Sequence, residues 1–121
     1  MLEASLREHI DVLVVEDRRD LDHTIPESLN GVTIDIQVRE RGAELVLSDH
    51  QVGVVAVDRS LGRHRIGRLI RTARQHDSEV PIIVIGERSV GKRDNVTVVP
   101  RDNLHALAEA VFSFPHRLEQ I

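Results

Sequence analysis

The chain has no cysteine, tryptophan or tyrosine, one lysine (Lys92), and only two aromatic residues, Phe112 and Phe114. Without cysteine there is neither a disulfide nor a thiolate metal site, and a cytoplasmic location is the default expectation. Two phenylalanines do not make the stacking platform that single-stranded nucleic acid needs. A net charge of −4 gives no overall attraction to a polyanion, so direct nucleic-acid binding is not expected. No apolar run approaches the roughly 20 residues that cross a bilayer, so no membrane association is expected. The opening MLEASLREH carries acids and no long apolar stretch, unlike a secretory signal. Basic charge is almost all arginine, which makes planar, multidentate contacts that lysine cannot, although a coding bias gives the same skew.

What is present suits a globular domain. The 121 residues are 40% apolar and 30% charged, enough to bury a core once and too few for two. Residues 1–121 therefore read as a single domain. The polar tail SFPHRLEQI would suit a lead into an output region, which would make this the N-terminal module of a longer protein.

Element signals alternate along the chain. Val12 to Val15 is a bare apolar run bracketed by charge, the pattern of a strand covered on both faces. DLDHTIPESLN (20–30) reads as a short helix, with Thr24 as cap, Pro26 near its first turn and Gly31 after its end. VTIDIQV (32–38) alternates, as a strand nearer a sheet edge does. The next segment sets Ala43, Val46 and Leu47 on one helical face; Gly53 then introduces the strand VVAV (54–57). The clearest helix follows, with Ile66, Leu69, Ile70 and Ala73 at i, i+3, i+4 and i+7, and Arg65, Arg68, Arg71 and Arg74 largely elsewhere. Pro81 opens PIIVI, VTVV (96–99) is the last strand, and Asn103 caps a helix with Leu104, Leu107, Ala108 and Val111 inward. The strands starting at 12, 54, 82 and 96 read as apolar throughout. Five strands, those four among them, alternating with four helices demand an α/β fold: a doubly wound, five-stranded parallel sheet with helices on both faces.

Two strands end on acid: Glu16 and Asp17 follow the first, and Asp58 follows the third. In open α/β sheets ligands bind outside the carboxyl ends of the strands. With the strand order 2-1-3-4-5 these tips are neighbours, and three carboxylates meet. Two unit charges about 4 Å apart repel by roughly 4 kcal/mol at a surface-like dielectric. A hard cation such as Mg²⁺, protonation of one carboxyl, or a nearby arginine would offset this. The plain alternative is that acids after strands, Asp17 or Asp20 among them, cap what comes next.

VLVVED, VVAVDRSLG, VPIIVIG and VTVVPRDN together resemble the receiver domains of bacterial response regulators, from about Asp11 to Phe114. The resemblance implies a flavodoxin-like order 2-1-3-4-5 and a signalling domain rather than an enzyme. It implies Asp58 as phosphoacceptor and Mg²⁺ held by Glu16, Asp17, Asp58 and the Ser60 backbone carbonyl. It also implies a sensor histidine kinase or a downstream output domain as protein partner, and it leaves a homodimer open.

Three positions depart from that pattern. The fourth strand ends in Gly86 where a threonine or serine is expected, and the fifth in Val99 where a lysine is expected. Neither supplies the missing hydroxyl or ammonium. Ser89 and Lys92 lie at the wrong places to replace them. Only ERSVGKRDN (87–95) joins the fourth and fifth strands, so the fourth helix is expected to be short or missing. Arg18, Arg19, Arg59, Arg88 and Arg101 share that sheet edge, and a cationic side chain bonded to Asp58 in the lysine's place would overturn the claim of a dead switch. The expected protein is a degenerate receiver acting by protein contact; the runner-up is an atypical receiver phosphorylated at Asp58. A small metal-dependent phosphoryl-transfer or nucleotide-binding module is the third reading, although neither GxxxxGK[ST] nor GxGxxG occurs. His64 is its nearest candidate base, and His23, His50 and His76 show no metal-ligand spacing.

Overall fold

A computed structural model describes residues 8–17, 29, 31–86, 95–101 and 103–119. Five strands, β1 (His9–Val15), β2 (Ile34–Gln37), β3 (Gln51–Asp58), β4 (Ile82–Ile85) and β5 (Val96–Val99), form one parallel sheet in the order β2-β1-β3-β4-β5. Three helices are described: α1 (Glu40–Asp49), α2 (Arg63–His76) and α3 (Leu104–Phe112). The helix expected at 20–30, the short or missing fourth helix at 87–95, and the Leu104 side chain fall outside the described residues, apart from Leu29 and Asn95.

The two-residue period of each strand divides the core. Leu13, Val15, Val55, Val57, Ile82 and Val84 face Ala43, Val46 and Leu47 of α1 and Ile66, Leu69, Ile70 and Ala73 of α2. Val12, Val14, Val54, Ala56, Ile83 and Ile85 face the other way, onto Leu107 and Val111 of α3. A strand covered on both sides has no polar face, which is why β1, β3 and β4 read as continuous apolar runs. β5 corrects the expectation of an apolar, doubly covered strand: it pairs only with β4, Thr97 is exposed, and only Val99 is buried.

The helix ends follow local chemistry. Asn103 Oδ1 accepts from the Ala106 N–H at 3.2 Å, the expected cap of α3. Gly62 links the single turn Arg59–Leu61 to α2 at φ 89°, a conformation that glycine adopts without steric cost. β3 runs longer at both ends than the expected 54–57, reaching from Gln51 to Asp58. That length carries the backbone of Asp58 to the last hydrogen-bonded position of the strand.

Candidate functional site at the carboxyl edge

The chain leaves β1 toward β2 on one side and β3 toward β4 on the other, so the topological switch point opens between the tips of β1 and β3. Val14 pairs with Ala56 and Val15 with Val57; one more step sets Glu16 beside Asp58. Glu16 is completely buried, and its N–H donates to the Gln37 carbonyl at 3.0 Å. Asp58 is 1% exposed. Its Oδ1 accepts from the Ser60 N–H at 3.3 Å and caps the turn that follows, so the capping role is real for this acid. Its Oδ2 lies 3.3 Å from Arg101 Nη2. That contact has ion-pair distance without hydrogen-bond alignment, and its attraction is coulombic.

Asp17 goes elsewhere. Successive residues leaving a strand point to opposite sides, and here Glu16 turns in while Asp17 turns out. Its side chain is 43% exposed and pairs with Arg65 Nη1 at 3.2 Å. Along the same face of α2, Arg68 forks onto Glu40 at 3.1 and 3.0 Å. The hydrogen bond from Arg68, with the Arg68 and Arg65 charges, holds the Glu40 carboxyl below its ordinary range against the opposing effect of burial. Arg74 Nη2 reaches the Asn95 carbonyl at 3.4 Å. Three of the four arginines expected on an open face of this helix are thus joined to the chain's own residues.

The two departures at the strand ends have structural reasons. Gly86 donates its N–H to the Val99 carbonyl at 2.8 Å. A Cβ on Gly86 would fall 2.7 Å from Arg59 Cβ and 2.9 Å from Arg59 Cδ. The arginine stem occupies the space that a threonine or serine would need. Val99 is buried with Leu107 and Val111 in the α3 layer.

The implied Mg²⁺ finds a poor match here. Among the described residues no group of three or more His, Cys, Asp or Glu side chains is arranged to hold a metal ion. Asp17 is turned to Arg65, and Asp58 divides its oxygens between an amide and a guanidinium. Glu16 and Asp58 are brought together by the register, and Ser60 follows in the adjoining turn; Asp17 is the member that does not join them. Arg18, Arg19, Arg88, Ser89 and Lys92 lie outside the described residues.

The opposite edge gathers residues that were not connected in the sequence. A cavity of about 340 Å³ is lined by His9, His50, His76 and His116 together with Arg117 and Asp77. Each imidazole stands at a strand start, a helix end or the final turn, positions that an α/β fold brings to one edge; that is the signal that could have found them. Asp11, wholly buried, accepts from the Thr33 N–H at 2.9 Å and the Glu119 N–H at 2.8 Å, with His9 Nε2 3.0 Å away. Arg117 donates through Nε to the Gly53 carbonyl at 2.9 Å and through Nη2 to Asp77. Burial pushes the Asp77 carboxyl up, but the Arg117 hydrogen bond, the Glu79 N–H and the Arg117 charge outweigh it and leave the group below its ordinary range. His64 sits exposed on the first turn of α2.

With this geometry in hand, comparison with solved structures gives a consistent result. A response regulator receiver protein from Sinorhizobium medicae superposes with TM-score 0.74 at 19% identity, covering 90% of this chain and 96% of that one. A CheY-like receiver domain protein from Methanospirillum hungatei gives 0.66 at 15% identity, over 90% and 98% of the two chains. A chain from the Saccharomyces cerevisiae co-crystal of a histidine phosphotransfer signaling protein with the receiver domain of its downstream response regulator gives 0.67 at 16%, over 90% of each. No protein-family model and no curated protein matches the sequence. The fold is therefore that of response-regulator receiver domains, flavodoxin-like with strand order 2-1-3-4-5, as expected.

Proposed function

We propose that this chain is a receiver-like signal-transduction domain that works through protein contacts, with its phosphoacceptor position held closed. The observation that carries this reading is the state of Asp58: 1% exposed, one oxygen on the Ser60 amide and the other facing Arg101. Gly86 adds support, since no hydroxyl stands at the end of β4 to follow a phosphoryl group. The partners that fit are a sensor kinase or phosphotransfer protein, of the kind seen beside the yeast receiver, or an output domain. A homodimer and a place as the N-terminal module of a longer chain belong to the same reading. So does a cytoplasmic setting; none of the described helices is long and apolar enough to cross a membrane. Signalling, not catalysis, is the activity. Mg²⁺ has no assembled set of three carboxylates among the described residues.

A second reading, an atypical receiver phosphorylated at Asp58, is favoured by one contact. Arg101 stands 3.3 Å from the Asp58 carboxylate, so the missing lysine charge has a replacement. Loss of the lysine alone therefore no longer argues for a dead switch; the case rests on Gly86 and on the closure of Asp58. Incubation with Mg²⁺ and acetyl phosphate or beryllofluoride separates the two readings. An unchanged amide spectrum supports the closed domain. Large shifts along β5, with acid-labile phosphate that Asp58→Asn abolishes, establish the second reading and overturn the first.

A further inference from the structure

The carboxyl edge keeps the buried acids of a cation cup without the arrangement that holds a cation. We propose that Arg101 forms a built-in cationic plug at Asp58, standing in for a divalent ion, and that Gly86 leaves room beside it for the stem of Arg59. The proposal deepens the receiver-like reading and rests on it only for why a metal would be expected there; the contacts are this chain's own.

Burying a carboxylate costs its hydration, which donors or a cation must replace. Arg101 supplies that cation at 3.3 Å, two residues after the end of β5. Pro100 precedes it, and its fixed φ limits the paths the turn can take. Arg59 follows Asp58 directly, and its Cβ stands 2.7 Å from where a Cβ on Gly86 would fall, so a side chain there would press on the chain beside Asp58. The absent hydroxyl and the crossing arginine stem thus concern one and the same space. Asp17 completes the picture, because its pairing with Arg65 withdraws the third carboxylate from the edge. A guanidinium keeps its charge at every physiological pH, so a plug of this kind needs no supply of metal.

Mn²⁺ titration of the full chain, read as paramagnetic broadening of the amides at 16, 17 and 58–60, tests the plug. In the wild-type protein and in Arg101→Lys, Asp58→Asn should leave Mn²⁺ affinity unchanged. Arg101→Ala should bind Mn²⁺ at least about tenfold more tightly, the scale on which groups around a metal site alter affinity. Adding Asp58→Asn to Arg101→Ala should remove the gain. Wild-type binding as tight as that of Arg101→Ala, or wild-type binding lost in Asp58→Asn, overturns the proposal. If Arg101→Ala does not fold, Arg101→Gln, which keeps the stem and loses the charge, gives the same readout: tighter binding sustains the plug, and unchanged binding refutes it. Beryllofluoride spectra report separately on the signalling reading, so the two can fail independently.

Discussion

The two edges of the sheet handle buried acid differently. At the carboxyl edge Asp58 is met by one backbone amide, Ser60, at 3.3 Å and by a side chain that is itself 40% exposed, Arg101, at ion-pair distance and without hydrogen-bond alignment. At the amino edge Asp11 is met by two backbone amides, at 2.9 and 2.8 Å, and by His9. The amide donors are fixed by the fold, whereas a guanidinium on a long stem can leave. The comparison teaches that the amino edge is built for permanence, and that the carboxyl edge keeps its charge balance in groups that a partner or a substitution can move. The glycines follow the same division. A Cβ at Gly53 would meet the Arg117 and Asp11 carbonyl oxygens at 2.1 and 2.8 Å, both backbone, whereas a Cβ at Gly86 meets one side chain at its root, Arg59 Cβ at 2.7 Å.

That division is easiest to break with the glycines. Gly53→Ala should cost about 3 kcal/mol in urea unfolding, because backbone must move on both sides of it, and Gly86→Ala nearer 1 kcal/mol. Equal costs would erase the difference between the edges. Next in size, Asp11→Ala leaves two amides without their acceptor and should cost about 2–3 kcal/mol. Asp58→Asn removes a buried charge along with its need for a partner, and it should be near neutral or stabilising. An Asp58→Asn protein as damaged as Asp11→Ala would show that the carboxyl edge is equally rigid.

A pH series sharpens the amino edge further. The Asp77 carboxyl is held below its ordinary value when folded. Such a group contributes stability above its unfolded pKa of about 3.9 and loses it as pH falls through the depressed folded value. Melting temperature should therefore drop more steeply below about pH 4 in the wild type than in Asp77→Asn; parallel acid limbs would remove Asp77 from the account. The smallest effect is expected at Arg68. Its pair with Glu40 is solvent-exposed, and Arg68→Ala should change the melting temperature by no more than the scatter of the measurement.

Much of this was legible in the sequence. The apolar runs at β1, β3 and β4 announced strands covered on both faces, and the i, i+3, i+4, i+7 spacing of Ile66, Leu69, Ile70 and Ala73 found the buried stripe of α2. β5 was less legible, because VTVV looks the same whether it lies inside a sheet or at its border; only the pairing decides. Glu16 and Asp58 could be placed from the ends of their strands. The outward turn of Asp17 follows from alternation alone, yet the acidic pair drew attention to charge before parity. No local pattern could say which of five arginines would meet Asp58, since that depends on how the turn after β5 folds back across the sheet tip. The four histidines were hidden for a related reason: they are separated by tens of residues and joined only by the rule that strand starts and helix ends share an edge.

The bond between Asp11 and the Glu119 amide joins positions 108 residues apart. A chain made from its N-terminus outward cannot close that link until the last turn has been synthesised. Until then Asp11 lacks one of its two backbone donors, and β1 is held by its pairing with β2 and β3 once those strands have been made. The loop-closure entropy of so long a span comes due only after those neighbours have already brought the two ends close.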